Sequence, residues 1–344
     1  MIDPTLRQAV MSDAQGALRL FVACVGVMNH LFDRLAEEPP APSGWTAESL
    51  AAAAERDTAY VARWVDASVA FGLLQREGAR LSLTGLGASF RSDVPGSLFP
   101  VAIQAVLSGH MAERAAGLMA TGEQPGESVL TERPTILPWF GPMLEATFGP
   151  MFADQILPAL PAVQALGERG GLAVDLGCGN GWYLRRLLAR YPRLRGIGLD
   201  MFADNIEAAR RAADAAGLGD RLDFRQGDLH RFTVDEPVDL IAMNRALHHV
   251  WAEGGDRVMA ALAGHLAPGG LVVVWEPRWP DDPAALARHP RLRGMAFQNL
   301  AEHVQGNRFL RPGEITAAME AAGMATEVLE LADGAEMVVV GRLD

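Results

Sequence analysis

Apolar positions in the first part of the chain recur at helical spacing. "ALRLFVACVGVMNHLFDRLAEE" repeats its large apolar residues every three or four positions, which predicts a helix. "TAESLAAAAERD" opens on Thr46, a residue type that caps helices, with Glu48 in the first turn. "TAYVARWVDASVAFGLL" predicts a further amphipathic helix from near Thr58 to Gly72, and "LLQREGARLSLTGLGASF" then alternates as a short hairpin turning at Glu77-Gly78. In "RPTILPWFGPMLEATFGPMFADQILPALPAV" repeated prolines predict short, broken helices, too apolar for a linker and suited to covering a pocket. From Gly171 the pattern changes. "GLAVDLG", "LRGIGLD", "RLDFRQGD", "VDLIAMN" and "GGLVVVWEP" alternate with helical segments, the sign of a parallel sheet with crossover helices. "ATEVLELADGAEMVVVGRL" adds a hairpin-like end.

Three helices followed by a two-stranded wing are the order of a winged helix. The expectation is therefore an α/β chain: a doubly wound, Rossmann-like domain over 166–344, preceded by a mostly helical, winged-helix-like region over 1–95 and a helical connector and pocket cover over 96–165. The helix "ALRLFVACVGVMNHLF" is more apolar than one buried face requires, which predicts packing across a two-fold axis in a homodimer.

Composition narrows the function. The net charge is −12, with 30 basic against 42 acidic residues. Residues 58–71, where a DNA-reading helix would lie, supply only Arg63 as a cation, so nucleic acid is not an expected partner. The two cysteines, Cys24 and Cys178, form no disulfide framework or zinc spacing and suit a reducing compartment. The first twenty residues lack a signal-peptide pattern and no uncharged apolar run of about 18 residues is present, so a cytoplasmic protein without a membrane span is expected.

The candidate chemistry centres on "VDLGCGNGWYLRRLLARYP". Gly177, Gly179 and Gly181 follow a strand and open a helix, where a tight turn and close approach of a ligand both need residues without side chains. Such glycines also serve nicotinamide sites or packing alone. Asp175 precedes the loop and suits an ammonium group. Asp200 ends the next strand, where a carboxylate reads ribose hydroxyls, and Asp228, in "RQGD", ends the third and suits an adenine amino group. Ligands in open α/β sheets sit beyond the carboxyl ends of strands, which adds Asn244, Arg245, His248, His249 and Glu276 to the site.

The set D-L-G-C-G-N-G, then L-D, then G-D resembles class I S-adenosylmethionine-dependent methyltransferases over about residues 165–344. The resemblance implies that Asp175, Gly177, Gly179 and Gly181 hold the methionine part of S-adenosyl-L-methionine, Asp200 the ribose and Asp228 the adenine, with Asn244 at the cofactor. The winged-helix-like start adds a resemblance to plant-type and bacterial small-molecule O-methyltransferases. Their His-Asp-Trp motif falls on "LHHVW": His248 matches the general base, and His249 stands where the Asp would be. Imidazole suits proton transfer near neutral pH.

"MAFQNLAEHVQGNRFLRPGEITAAMEAAGM" carries His303 within a polar set of Gln298, Asn299, Glu302 and Asn307, which suggests a site wall. Here the chain is loosely similar to metal-dependent C-methyltransferases of 2-oxo acids, which implies that His248 and His303 bind zinc or iron and that the metal holds the oxo acid. The expected activity is methyl transfer to a small molecule, in specialised metabolism, with His248, His249 and His303 as catalytic candidates. Metal-assisted C-methylation is the alternative enzyme, and a cofactor-binding transcriptional regulator is the alternative of another class.

Overall fold

The computed structural model describes residues 2–229 and 232–343. The chain forms two compact units that divide between Met111 and Ala112, within the helix Phe99–Leu118.

In the first unit, helices Pro4–Met28, Leu31–Ala36, Ala47–Ala53 and Thr58–Ala70 precede a hairpin of β1 (Leu74–Glu77) and β2 (Arg80–Leu83). Local chemistry sets the helix starts. Thr46 and Ser49 exchange side-chain and backbone bonds in a reciprocal capping box, and Asp57 accepts from Tyr60 N at 2.9 Å. Glu77 pairs with Arg80, so the hairpin turns on Gly78-Ala79, one residue later than expected. Gly78 has φ +60°, the conformation a II′ turn demands at its first central position. Phe32 packs against Trp64 and Phe90, with ring centroids 5.4 and 5.8 Å apart. The third-helix cation Arg63 bonds the Ala59 carbonyl of its own helix.

Only Ala23, Cys24, Gly26 and Val27 are buried on the helix Pro4–Met28, while Leu6, Val10, Met11, Leu18, Phe21 and Val25 are exposed. By length and composition this helix is long and apolar enough to cross a membrane. Its apolar stretch carries Asp13 and Arg19, so it is not an uncharged run.

The second unit is built on seven strands: β3 (Gly171–Leu176), β4 (Leu194–Asp200), β5 (Leu222–Gln226), β6 (Val238–Asn244), β7 (Leu266–Pro277), β8 (Met324–Leu331) and β9 (Glu336–Leu343). Their order is β5-β4-β3-β6-β7-β9-β8. The first five are parallel, and β9 pairs antiparallel with both β7 and β8. Alternate residues of each strand feed opposite layers. Ala173, Leu240, Val273 and Trp275 pack with the helices Trp182–Arg190 and Ala203–Ala215, while Val174, Ile241, Val272 and Val274 pack with Gly255–Ala263 and Pro312–Ala321.

Two boundaries differ from the sequence reading. "HLAPGG" belongs largely to β7, which begins at Leu266, and β5 stops at Gln226, two residues before Asp228. The prolines also break less than expected. Leu137–Met151 runs unbroken through Pro142 and Pro150, and the helix then widens into a π turn over Phe152–Ile156. Pro150 has no N–H for the carbonyl four residues back, and the wider turn follows that loss directly.

Candidate active site

Chain order reverses at β3, which has β4 on one side and β6 on the other, so a crevice opens beyond the carboxyl ends of β3 and β6. The glycine loop lies there. Gly177, Gly179 and Gly181 have φ of +78°, +52° and +73°. Gly177 N and Cys178 N both donate to Leu199 O at 2.9 Å, which fastens the loop to β4. A Cβ on Gly177 would meet Ala246 Cβ at 2.7 Å, and one on Gly181 would meet the Phe224 ring at 2.5 Å. Packing therefore explains these two glycines. Beside Gly179, its chain neighbours aside, no atom of the described residues lies within 4 Å of the added Cβ, so the loop is open there.

Asp175 is 1% exposed at the end of β3. Burial pushes its carboxyl up to about 7, against the lowering effect of the bond from Asn244, while the charge of Asp200 raises it further. Asn244 Nδ2 donates to Asp175 Oδ1 at 3.1 Å. The other end of that amide, Asn244 Oδ1, is buried without a hydrogen-bond partner among the described residues, and so is Asn180 Oδ1 in the loop. A buried carboxylate beside orphaned acceptor oxygens is a site short of donors and of positive charge.

Asp200 is buried at the end of β4 and accepts from Gly179 N at 2.9 Å, Phe202 N at 3.0 Å and Asn205 Nδ2 at 3.0 Å. Burial raises its carboxyl while these three donors lower it. One lone-pair position on Oδ2 remains for a further donor. Asp228 is exposed, in the chain just beyond β5.

The histidines lie beyond β6, on the short helix Leu247–Val250. His248 is 4% exposed, and its Nδ1 donates to Glu276 Oε2 at 2.7 Å. Glu276 Oε1 accepts the backbone N–H of Leu247 at 2.8 Å and of His248 at 3.3 Å, so one carboxylate of β7 sets both the ring and its helix. On the far side, Glu302 Oε2 lies 3.6 Å from His248 Nε2. Burial alone would push the imidazolium down. The charges of Glu276 and Glu302 and their hydrogen bonds outweigh it and push His248 up to about 10. Glu302 is held below the usual range by His248, against burial.

His249 Nδ1 lies 2.8 Å from Glu127 Oε1 and 2.8 Å from the Asn307 side-chain amide. The bond to His249 holds the Glu127 carboxyl below its ordinary value. Ligand atoms of His248, His249 and Glu302 lie within 4.8 Å of one another, a group with the donor types for a metal ion. His303 does not join this group. It is exposed, and its Nδ1 lies 3.1 Å from Gln124 Nε2. The reason is helical phase: His303 follows Glu302 on the helix Pro290–Val304, and adjacent helical residues point about 100° apart. Pairing His248 with His303 as joint ligands is therefore not the arrangement in the structure.

Glu127 and Gln124 reach the site from a Gly- and Pro-containing segment with no periodicity to mark them. Glu302 and Asn307 were visible only as members of a polar set, and Glu276 as a strand end. His110 is buried in the first unit, and His265 packs on Phe232 with ring centroids 4.4 Å apart, outside the site.

Residues 173–270 match a protein family described as a methyltransferase domain. Trans-aconitate 2-methyltransferase of Streptomyces coelicolor is 32% identical over 162 residues, which cover 45% of this chain and 52% of that protein. The protein of that name from Azoarcus is 33% identical over 111 residues, 32% of this chain and 41% of that protein. The chain thus spans about half the length of the curated relatives it matches. An O-methyltransferase family protein from Burkholderia thailandensis superimposes with a TM-score of 0.65 at 20% identity, over 100% of this chain and 99% of the other. Human N-acetylserotonin methyltransferase, solved in complex with SAM, gives 0.66 at 21% identity, over 99% and 98%. Residues 173–270 thus match a methyltransferase domain, and the fold that carries them is shared with these solved methyltransferase structures.

Proposed function

We propose that the chain transfers a methyl group from S-adenosyl-L-methionine to a small-molecule acceptor. The observation that carries this is the donor-poor, anionic crevice at the ends of β3 and β6: Asp175, pushed up to about 7 by burial, beside the orphaned Asn244 Oδ1. The cofactor's ammonium group supplies both the charge and the N–H donors lacking there. Gly179 leaves room for its approach, Asp200 has one acceptor position for a ribose hydroxyl, and Asp228 follows β5 on the adenine side. When bound, the cofactor supplies a methyl group on a sulfonium. Structural neighbours that act on mitomycin, or in calicheamicin biosynthesis, support an acceptor from specialised metabolism.

His248 stands beyond β6 on the acceptor side. With the ring pushed up to about 10 it is charged at neutral pH and has no vacancy for a proton. Its role in this reading is electrostatic: the charged ring favours the deprotonated, nucleophilic form of the acceptor, while Glu276 fixes the ring at Nδ1 and Glu302 lies 3.6 Å from Nε2. His249 and His303, held by Glu127 and Gln124, form the acceptor wall. Positioning contributes most to an in-line methyl transfer.

The group His248, His249 and Glu302 supports a second reading, in which zinc or iron held there would act as a Lewis acid toward a 2-oxo acid. Elemental analysis of the purified protein separates the two. The metal reading expects near-stoichiometric metal that is lost in H249A and E302A and kept in H303A. Metal-free protein that still methylates in the presence of chelator removes it.

Cofactor affinity tests the main reading. Asp175 must be ionised to pair with a cation, and its raised pKa keeps it protonated below about 7. Binding measured by calorimetry should therefore strengthen as pH rises from 5 to 8. Asp175→Asn should weaken binding at pH 8 roughly 10- to 150-fold, the equivalent of ~1.5–3 kcal/mol for a charged hydrogen bond, and should abolish the pH dependence. Unchanged affinity in that variant would count against the assignment.

The pH profile of kcat at saturating cofactor tests His248. A free imidazole base would lose activity as pH falls through about 6.5. A charged imidazolium keeps its activity there and loses it as pH rises through about 10. A limb near 6.5 assigned to His248 would restore the base.

For assembly, the exposed stripe of Leu6, Val10, Leu18, Phe21 and Val25 supports a homodimer formed through the helix Pro4–Met28. Light scattering at micromolar concentration should give twice the chain mass, and Phe21→Glu should give the monomer. A monomeric wild type that sediments with lipid vesicles would replace the dimer by a membrane contact.

A further inference from the structure

Arg245 has φ +57°, a left-handed conformation uncommon for a residue with a long side chain. It stands between two parts of the site. Asn244, the partner of Asp175, precedes it, and the helix Leu247–Val250 with His248 begins two residues after it. Such strain persists only where the surroundings over-determine it. Here they do so through the side chain. Arg245 Nη1 pairs with Glu336 Oε2 at 2.7 Å, with side chains 16% and 12% exposed. The guanidinium carbon lies 4.4 Å from the Phe148 ring centroid, and Trp275 Nε1 donates to the same Glu336 oxygen at 2.9 Å. Arg245 N donates to Trp275 O at 2.7 Å, so the backbone is tied to β7 as well.

The sheet explains what these contacts secure. Trp275 and Glu276 are consecutive on β7 and face opposite layers. Arg245 locks onto the Trp275 side, while Leu247 N, His248 N and His248 Nδ1 lock onto Glu276. The left-handed turn carries the chain over the end of β7 from one layer to the other. Relaxing it would move Asn244 against Asp175 and His248 against Glu276 together.

We infer that Arg245 is a positioning residue whose partly buried guanidinium, seated on Phe148 and Glu336, holds the strained turn that sets Asn244 and His248 at their mutual distance. This rests on the methyltransferase reading for its kinetic consequence but not for its structural one.

The test compares Arg245→Ala and Arg245→Gly in the full chain, well below the unfolding midpoint of each. Alanine loses the guanidinium and carries the cost of positive φ. Glycine loses the guanidinium but adopts the turn freely. R245A is expected to lose kcat by about tenfold to a hundredfold with little change in acceptor KM, the signature of misplaced reacting groups. It should also shift the ring resonances of His248. R245G should recover much of the kcat and return those resonances toward wild type. R245A with wild-type kcat and unshifted His248 resonances, changed only in thermal stability, overturns the inference, as does an R245G no better than R245A. Wild type that binds no cofactor would instead sink the methyltransferase reading, and the His248 resonances of the two variants would still decide the role of Arg245.

Discussion

A carboxylate taken out of water must find a cation, find donors, or take up a proton, and Asp175 at the end of β3 has one hydrogen-bond partner for these needs among the described residues. Asn244 reaches it from β6 with a single N–H, and the carboxyl is left pushed up to about 7. The rest of the crevice follows from that shortage. The amide that donates to Asp175 turns its own oxygen to a place without a donor, the glycine loop opens beside it, and Asp200 keeps an acceptor position free. A positively charged ligand would relieve both the shortage of donors and the burial of Asp175.

The acceptor side is built by the same economy with the opposite outcome. Burial by itself would leave His248 neutral, but Glu276 and Glu302 surround it and hold it charged. One strand end sets both sides of the arrangement, because Trp275 and Glu276 face different layers of the sheet. The tie of Arg245 to Glu336 and Trp275 on one layer and of His248 to Glu276 on the other makes the end of β7 the common reference for both. Breaking a buried pair of this kind leaves an uncompensated charge, which is far more costly than losing an exposed ion pair.

Much of this was legible along the chain. The alternation of short apolar runs with amphipathic segments after Gly171 located β3 to β7, because strands buried on both faces read as near-continuous apolar runs. The positions of Asp175, Asp200 and Asn244 followed from strand ends, and the hairpin of the first unit from Gly78. Helix limits and the prolines were less legible. Pro142 lies in a helix whose neighbours along the chain do not reveal that it continues.

By itself the sequence determined the order of elements, the place of the crevice and the residue types that line it, since these depend on local periodicity and on which residues end each strand. Only the tertiary structure decided how the pieces meet. It separated Gly177 and Gly181, which Ala246 and Phe224 require, from Gly179, which faces open space. It grouped Glu302 rather than His303 with His248 and His249, because one residue along a helix turns a side chain by about 100°. It brought Glu127 to His249 from 122 positions earlier in the chain, and it set Glu276 and Glu302 on either side of His248. Charge states and ligand groupings depend on distances between residues far apart in sequence, and no spacing along the chain encodes those distances.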